Sequence, residues 1–429
     1  MPTVAFHTLG CKVNQYDTQA MLETFLQHGY TLKEFDEVSD VYVINTCTVT
    51  GTGDKKSLQM VRRALKQNPS AHIVIAGCLA QRDGEKLLET GARLVIGNAH
   101  RADVVTLLHD AIDKNTSVSA VEKDLLRVPF EPLKIARFAE RTRAAIKIQE
   151  GCDRYCTYCI IPYVRGGIRS RKVEDIREEA AILANAGFEE LVLTGIHLTS
   201  YGRDLNGETL LEAIDACLVE GVKRIRLGSL EPVIVTEEFA KAIAARPQVC
   251  PQFHLALQSG SDTVLKRMRR RYTTEEFFTA ASLLRKYMPS CAITTDVICG
   301  FPGETEEEFQ ETLAFTEKVH FARMHVFPYS ARTGTPAATM SNQVPKKIRE
   351  ERTRTLIALG QKLAASYHES MIGTEVEVLF EEKGAENMLS GYTREYVHCR
   401  AEGDMPENAL CRVKVTHADE NGLKGVIVS

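Results

Sequence analysis

Long apolar runs are missing from this sequence: nowhere do eighteen uncharged apolar residues stand together, and the N-terminus lacks a basic, then apolar, start. We therefore expect no membrane partner and predict a cytoplasmic location. Low-complexity tracts are also missing, and the ordinary composition suggests no disorder. The net charge of −4 gives no global signature of nucleic-acid binding, so such a function must depend on local basic clusters.

Cysteine, in contrast, is frequent, with twelve residues in a chain of 429. In a reducing compartment disulfides are not expected, which favours metal binding, catalysis or packing. About half of the cysteines should be small buried hydrophobes. Six lack a ligand-spaced neighbour and are assigned to packing: Cys217, Cys250, Cys291, Cys299, Cys399 and Cys411.

The chain is too long for one hydrophobic core, and its pattern changes three times. Residues 1–115 alternate short apolar runs with helical stretches, which predicts an α/β fold with a doubly wound parallel sheet. Residues 116–143 are polar and indicate a linker. Residues 144–370 contain six βα units and a trailing helix, typical of an incomplete (βα)6 barrel, although a second open sheet fits equally. Residues 371–429 predict a small all-β barrel.

The stretch GCDRYCTYCIIPYVRG, at the end of the first barrel strand, contains Cys152, Cys156 and Cys159. Active sites of βα barrels lie at this end of the strands. Three thiolates in a tight loop can bind three irons of a cubane cluster and leave the fourth open, whereas structural zinc needs a fourth ligand. A zinc site completed by a distant histidine such as His197, or coincidence, are the alternatives.

A second trio has no local spacing: Cys11, Cys47 and Cys78 each stand where a predicted strand ends, in TLGC, INTC and IAGC. The carboxyl ends of parallel strands share one edge, where ligand sites form. We therefore expect three thiolates to converge there, again with an empty fourth position. A single strand-end cysteine would more often be a core residue.

Both trios and the domain order resemble the methylthiotransferases of the radical S-adenosylmethionine superfamily. The resemblance covers nearly the whole chain, and the motifs that carry it are LGCKVNQYD, NTC, GCDRYCTYCIIPYVRG, TGIHLTSYG, QSGSD, TDVICGFPGET and FPYSARTGTPA. KIQEGCDRYCTYCIIPYVRGGIRSR is most similar to the group acting on threonylcarbamoyladenosine in tRNA. Other groups act on isopentenyladenosine in tRNA or on an aspartate of a ribosomal protein.

The resemblance implies two [4Fe–4S] clusters and S-adenosylmethionine. The cluster on Cys152, Cys156 and Cys159 would cleave S-adenosylmethionine to a radical that removes hydrogen from C2 of the adenine at position 37, in the tRNA anticodon stem-loop. The auxiliary cluster on the other trio would deliver the methylated sulfur. Because reacting atoms must approach closely, we expect the two clusters to share one cavity. The sequence does not indicate the sulfur donor or the electron donor.

Further residues are candidates for contacts in that cavity. Contacts with S-adenosylmethionine are expected from Tyr158, Gly195, Glu231 and Gln258. For the strand-end residues the alternative is capping of the next helix. Asn14 and Asp17, close after Cys11, are the catalytic candidates, and their alternative is a role in starting the helix there.

Three basic clusters, RGGIRSRK, KRMRRRY and KKIREERTR, are candidates for phosphate contacts. In the first two the predicted RNA-binding residues are Arg165, Arg169, Arg171, Arg269, Arg270 and Arg271, whereas the third suits a solvated helix. The terminal barrel resembles the TRAM-like RNA-binding module of the family but is acidic, with six Lys and Arg against eleven Asp and Glu. We therefore expect Tyr392 and Tyr396 to stack on bases. A non-catalytic, metal-stabilised RNA-binding protein is the alternative of another class.

Overall fold

The computed structural model describes residues 1–49, 51–126, 128–135, 142–384 and 387–428. Part of the predicted linker therefore lies outside the described residues. The strands are β1 Thr3–Thr8, β2 Thr31–Lys33, β3 Val41–Thr46, β4 His72–Gly77, β5 Leu94–Ile96, β6 Val118–Ala120, β7 Arg143–Glu150, β8 Arg169–Ser170, β9 Glu190–Gly195, β10 Arg224–Leu227, β11 Gln252–His254, β12 Ala292–Cys299, β13 Arg323–Pro328, β14 Glu375–Lys383, β15 Met388–Thr393, β16 His398–Glu402, β17 Leu410–Asp419 and β18 Gly422–Val428. The α-helices are α1 Lys12–Gln27, α2 Gly51–Gln67, α3 Cys78–Asp83, α4 Val104–Asp113, α5 Ile161–Arg165, α6 Val173–Asn185, α7 Leu210–Ala216, α8 Glu237–Ala244, α9 Asp262–Arg267, α10 Thr274–Tyr287, α11 Glu306–Val319 and α12 Lys346–Glu369.

The N-terminal sheet has six parallel strands in the order β2-β1-β3-β4-β5-β6. Successive residues of each strand enter opposite cores, as the pleat requires. Val43 packs with Phe25 of α1 and Leu108 of α4, whereas Tyr42 packs with Val61 of α2. The sheet is therefore doubly wound, as predicted. Sequence reasoning missed the edge strands β2 and β6, and β6 lies in the segment predicted as a linker. Their sequences, TLK and VSA, do not form apolar runs, whereas β5, LVI, is equally short and does.

The chain divides into two compact units. Unit 1 contains Met1–Phe188, Leu193–Gly221 and Ser330–Thr339, and unit 2 contains Glu189–Val192, Val222–Tyr329 and Met340–Ser429. Both cysteine trios belong to unit 1. The division follows packing and not the order of the elements, so the domain boundaries read from the sequence stay predictions.

The central strands form a four-stranded sheet of order β10-β9-β7-β8 and a three-stranded sheet of order β11-β12-β13. Isolated parallel bridges between Ile225 and Val249 and between Leu230 and Leu255 continue the hydrogen bonding from the β10 region to the β11 region. Strands β11, β12 and β13 pair in parallel, and a helix follows most strands. This is the predicted incomplete (βα)6 barrel, with the short antiparallel strand β8 added at its edge.

The C-terminal strands close into a barrel of order β14-β15-β16-β18-β17. Two buried arginines attach this barrel inside unit 2. Arg224 donates to the carboxylate and the backbone carbonyl of Glu377, and Arg226 donates to backbone carbonyls of the β15–β16 turn. Glu190 pairs with both guanidinium groups. In the described part of the chain, no helix combines the length and apolar character needed to span a membrane.

Candidate metal centre

Three strand-end cysteines lie at one edge of the N-terminal sheet. Cys47 directly follows β3, Cys78 opens α3 directly after β4, and Cys11 is the N-cap residue of α1, just beyond β1. Because β1, β3 and β4 are neighbouring parallel strands, their carboxyl ends share this edge. Cys78 is buried and Cys11 is exposed, so the trio runs from the interior to the surface.

Two glycines shape the backbone beside this trio. Gly10 has a φ of 110°, and a Cβ there would lie 3.2 Å from the Sγ of Cys47, which shows how closely the turn before Cys11 passes over Cys47. Gly77 has a φ of 91°, and a Cβ there would lie 2.6 Å from the Thr46 carbonyl oxygen and against the Asn45 side chain. A residue with a side chain would have to displace Cys47 or the Asn14 amide at the first place, and the end of β3 at the second.

Replacing Gly77 with alanine should destabilise the protein and reduce the iron bound at the strand-end trio. Gly77 has a ψ of −155°, in a region that essentially only glycine adopts. The added Cβ combines the strain of that conformation, about 1–3 kcal/mol, with a clash against the end of β3. Gly29→Ala is the matched control, because Gly29 has a φ of 81° but a Cβ added there would meet no atom within 4 Å. Urea unfolding and iron analysis would measure both variants. Equal stability losses would show that the close approach at Gly77 is unimportant.

The catalytic candidates Asn14 and Asp17 are both buried. The Asn14 amide donates to the carbonyl oxygens of Leu9, at 2.7 Å, and Thr46, at 3.0 Å, and so ties the loop after β1 to the end of β3. Asp17 accepts from protein cations. Both side chains therefore have partners within the protein, and a catalytic role for Asn14 or Asp17 stays a prediction.

Asp17 belongs to a buried ionic network within unit 1. Its carboxylate accepts from Arg101 and Lys147, each at 2.5 Å. Glu150 accepts from Arg165 at 2.6 Å and from Lys147 at 3.2 Å. Burial alone would raise the pKa of Glu150, but Arg165, Lys147 and Arg101 outweigh it and hold that pKa well below its usual range. The carboxylate is thus charged and its charge is balanced inside the protein.

Arg165 connects this network to the sulfur of Cys78. Its Nε lies 3.3 Å from the Cys78 Sγ, and its other nitrogens donate to Glu150 and Asn14. The amide of Asn98 lies 3.7 Å from the same sulfur. Burial raises the pKa of the Cys78 thiol, and the Arg165 charge opposes that effect. A cysteine that binds a metal must be a thiolate, and these two donors stabilise negative charge on the Cys78 sulfur. Cys78 is therefore suited to be a metal ligand.

The loop carrying the second trio starts two residues after β7. Cys152 and Cys156 are buried and Cys159 is half-buried. The Cys152 amide donates to the Gly166 carbonyl at 3.0 Å, so the loop closes back on the residues that follow α5. Gly151, with a φ of 72°, packs against the same return segment and leaves no room for a side chain.

Direct packing joins the two trios. Cys78 packs against Ile160 and Val164, which follow Cys159, and Asn98 donates to the Val164 carbonyl at 2.7 Å. The strand-end trio and the loop trio are therefore neighbours inside unit 1.

A second connection comes from residues 330–339, here called the strap. Arg332 pairs with Asp54 at 2.7 Å and donates to Thr48, the residue after Cys47. Farther along, the Ala337 amide donates to the carbonyl of Thr157, between Cys156 and Cys159, at 2.8 Å. The strap thus holds both cysteine loops. Sequence reasoning quoted its motif, SARTGTPA, but missed Arg332 as a site residue.

The donor set suits iron–sulfur clusters. Among the described residues no three His, Cys, Asp or Glu side chains converge on a single metal ion. The thiolates of a cubane cluster bind different irons, so they need not meet at one point. Soft thiolate ligands are the kind that such clusters use. His197 instead faces Ser200 and Arg154.

Comparison with known proteins is decisive. The radical SAM superfamily model matches residues 146–316, and the uncharacterized protein family UPF0004 model matches residues 3–97. The threonylcarbamoyladenosine tRNA methylthiotransferase MtaB of Bacillus subtilis is 45% identical over 405 residues, covering 92% of this chain and 90% of the relative. The chain belongs to the radical S-adenosylmethionine tRNA methylthiotransferases.

Other relatives agree with this membership. The MtaB protein of Aquifex aeolicus is 38% identical and covers 96% of this chain and all of the relative. The tRNA-2-methylthio-N(6)-dimethylallyladenosine synthase of Moorella thermoacetica is 36% identical, covering 98% of this chain and 97% of the relative. The radical S-adenosylmethionine methyltransferase TsrM from Kitasatospora setae, solved with cobalamin and a [4Fe–4S] cluster, shares the fold with a TM-score of 0.59 at 14% identity, covering 79% of this chain and 77% of that one.

The methylthiotransferase is therefore an enzyme that works with S-adenosylmethionine and [4Fe–4S] clusters. This membership replaces the alternative of a non-catalytic RNA-binding protein.

The residues predicted to contact S-adenosylmethionine fall in both units. Tyr158 and Gly195 belong to unit 1, and a Cβ on Gly195 would lie 2.9 Å from the Gln149 side chain, so its close approach serves packing as well. Glu231 and Gln258 belong to unit 2. Glu231 pairs with Arg270 at 2.9 Å, and Gln258 has a φ of 67°, a left-handed conformation rare outside glycine. Cofactor contacts by these four residues stay predictions.

The predicted phosphate contacts of the methylthiotransferase need correction at four arginines. Arg165, Arg169 and Arg171 are buried in unit 1. Arg171 pairs with the buried Glu179, and Arg169 donates to the Arg165 carbonyl. In unit 2, the guanidinium of Arg270 is also largely covered, by its pairing with Glu231. These side chains neutralise internal carboxylates or cap backbone, so they are not presented to RNA. Arg269 and Arg271 are exposed, and their phosphate contacts stay predictions.

The tyrosines predicted to stack on bases face each other. The rings of Tyr392 and Tyr396 are stacked, with centroids 4.7 Å apart and planes at 19°, and the Arg226 guanidinium lies 4.6 Å from the Tyr396 centroid. Much of their ring surface is thus used inside unit 2, which weakens the expectation that they stack on RNA.

Proposed function

We propose that this methylthiotransferase acts on C2 of N6-threonylcarbamoyladenosine at position 37 of tRNA, in the cytoplasm. The relatives named for that substrate are 36–45% identical over most of the chain. Those named for N6-dimethylallyladenosine are 34–36% identical. This difference is the support for the substrate.

The observation that carries the mechanism is the packing of the two trios within one unit. We assign one [4Fe–4S] cluster to Cys152, Cys156 and Cys159, and the other to Cys11, Cys47 and Cys78. Together with S-adenosylmethionine these groups would supply the radical and the methylthio group that the reaction needs.

Side chains and backbone groups of the protein fix the positions of the two cysteine trios. Arg165 and Asn98 direct donors at the Cys78 sulfur and so offset the charge that a thiolate carries there. The strap holds the Cys47 loop and the Cys156 loop at fixed positions through Arg332 and Ala337. Reaction between groups from two sites requires such fixed placement, because a displacement of about 1 Å can cost two orders of magnitude in rate.

The C-terminal barrel is proposed to bind the anticodon stem-loop of the tRNA. Its support is the family membership and a fold of the kind predicted for a TRAM-like module, docked in unit 2 through Arg224 and Arg226. Its acidic composition means that shape and stacking would contribute more than phosphate contacts.

Anaerobic reconstitution tests the proposal directly. The protein would be loaded with iron and sulfide, then incubated with S-adenosylmethionine, a reductant, sulfide and tRNA containing either N6-threonylcarbamoyladenosine or N6-isopentenyladenosine. We expect 5′-deoxyadenosine in both reactions, and a methylthio product from the first tRNA alone, measured by nucleoside mass spectrometry. Product from the second tRNA would assign the rival substrate. In a parallel reaction with ribosomal protein in place of tRNA, methylthio product on an aspartate would remove tRNA from the proposal.

A further inference from the structure

Two tyrosines on the loop of the second trio differ from the other aromatic residues around the site. Tyr155 stands between Cys152 and Cys156, and Tyr163 stands in α5, four residues after Cys159. Tyr155 is 40% exposed and Tyr163 is 50% exposed, whereas the tyrosines in the core of the unit are buried. The two rings meet edge to face, with centroids 5.6 Å apart and planes at 79°. They form one exposed aromatic pair on the cluster loop.

The backbone conformation that leaves this pair exposed is strained. Tyr155 has a φ of 47°, in the left-handed region where a residue with a large side chain is strained. The loop is fixed on both sides, since the Cys152 amide bonds to Gly166 and the Tyr163 amide bonds to Ile160. A large ring would normally gain free energy by burial. Here the loop is closed in a way that keeps both rings in solvent.

We propose that Tyr155 and Tyr163 are a stacking platform for a nucleobase of the RNA substrate. The inference rests on the proposed function, because it assigns a subsite to the tRNA. A base in the anticodon loop must leave the base stack before its C2 atom can enter an active site. Proteins commonly bind such unstacked bases by stacking them on aromatic side chains. An edge-to-face pair covers one face of only one ring, so ring surface stays available for a base.

The alternative pair in the molecule is less suited to this role. Tyr392 and Tyr396 lie face to face at an interplanar angle of 19°, and Arg226 covers Tyr396. Each ring there already has one face against the other ring, so less ring surface is left for a base. The pair on the cluster loop needs no rearrangement, and it is carried by the residues that present the loop cysteines.

Binding of RNA by ring-deleted variants tests the platform. The reconstituted full chain would be titrated into a fluorescein-labelled anticodon stem-loop RNA without reductant, and binding followed by anisotropy. Tyr155→Ala and Tyr163→Ala should each weaken binding about tenfold, the typical loss for one aromatic–base stack. Tyr155→Phe and Tyr163→Phe should bind like the wild type, because the ring is retained. Alanine variants that bind like the wild type would overturn the proposal.

A direct contact can be read from fluorescence, because the sequence contains no tryptophan. In Tyr155→Trp the only indole stands at the proposed platform, and a stacked base should quench its emission as RNA is added. Val38→Trp is the matched control: Val38 is 66% exposed and precedes β3, at the sheet edge opposite Cys47. Equal RNA-dependent changes in both variants would show that Tyr155 does not touch a base.

The two proposals fail in different ways. If the wild-type protein cleaves S-adenosylmethionine but binds no RNA, the proposed function fails. If the wild type binds RNA and Tyr155→Ala binds it equally well, only the platform fails. Unchanged iron content and RNA-independent 5′-deoxyadenosine formation in the alanine variants would show that the cluster loop itself is intact.

Discussion

Replacing Arg165 with methionine will destabilise unit 1 by about 3–5 kcal/mol, the usual effect of removing one partner from a buried ion pair. Arg165 is fully buried, and it neutralises Glu150 while donating to Asn14 and to the Cys78 sulfur. Methionine fills similar space but leaves the Glu150 carboxylate short of a charge partner. The variant should also bind less iron at the strand-end trio, because the Cys78 thiolate loses its cationic donor.

The matched control for this prediction is Arg203→Met. Arg203 also pairs with a carboxylate, Asp153 at 3.0 Å, but half of its side chain is exposed. An exposed pair contributes about 0–1 kcal/mol. Urea unfolding would give both stabilities, and iron analysis with electron paramagnetic resonance would give the clusters. Arg165→Lys would separate the two effects, since it keeps the charge but lacks the planar fork. A stability loss for Arg165→Met no larger than for Arg203→Met would refute the role of the network.

Single cysteine substitutions should separate S-adenosylmethionine cleavage from formation of the methylthio product. Cys156→Ala should lose one cluster and all formation of 5′-deoxyadenosine, because the loop trio is assigned to S-adenosylmethionine cleavage. Cys78→Ala should keep that cleavage but form no methylthio product, because it lacks only the auxiliary cluster. Each result is a loss to background, which makes these the largest effects expected on activity.

Cys411→Ala is the control for both cysteine variants. Cys411 lies in the core of the C-terminal barrel, far along the chain from either trio, and is assigned to packing. Iron content and product should match the wild type. Mass analysis of nucleosides and of 5′-deoxyadenosine would follow all three variants. Methylthio product from Cys78→Ala would remove the strand-end trio from the reaction.

The sequence predicted those features that depend on chain periodicity. Cys47 and Cys78 stand where apolar strands end, and the alternation of Tyr42 and Val43 between two cores follows from the pleat of a buried strand. The fold class was predictable for the same reason. The edge strand β6 was not, because its three residues carry no pattern and owe their conformation to pairing with β5.

The charges were predicted less well. The local sequence around Arg165 and Arg171 does not show whether these arginines face RNA or a carboxylate of the protein, because their partners stand elsewhere in the sequence. Asp17 is 148 residues from Arg165, and Thr48 is 284 residues from Arg332. A local cluster of basic residues therefore shows only that positive charge is present. Whether acidic side chains of the protein neutralise that charge depends on the fold.

The strap has a consequence for biosynthesis. Thr48 leaves the ribosome 284 residues before Arg332, which is roughly 15 to 60 s at 5–20 residues per second. During that interval the nascent strand-end trio has its sheet and the contacts of Arg82 to Thr48 and Asp54, but not those of Arg332. Iron inserted then would enter an unfinished pocket. We infer that the auxiliary cluster is completed only after the strap has been synthesised and Arg332 has reached Thr48 and Asp54.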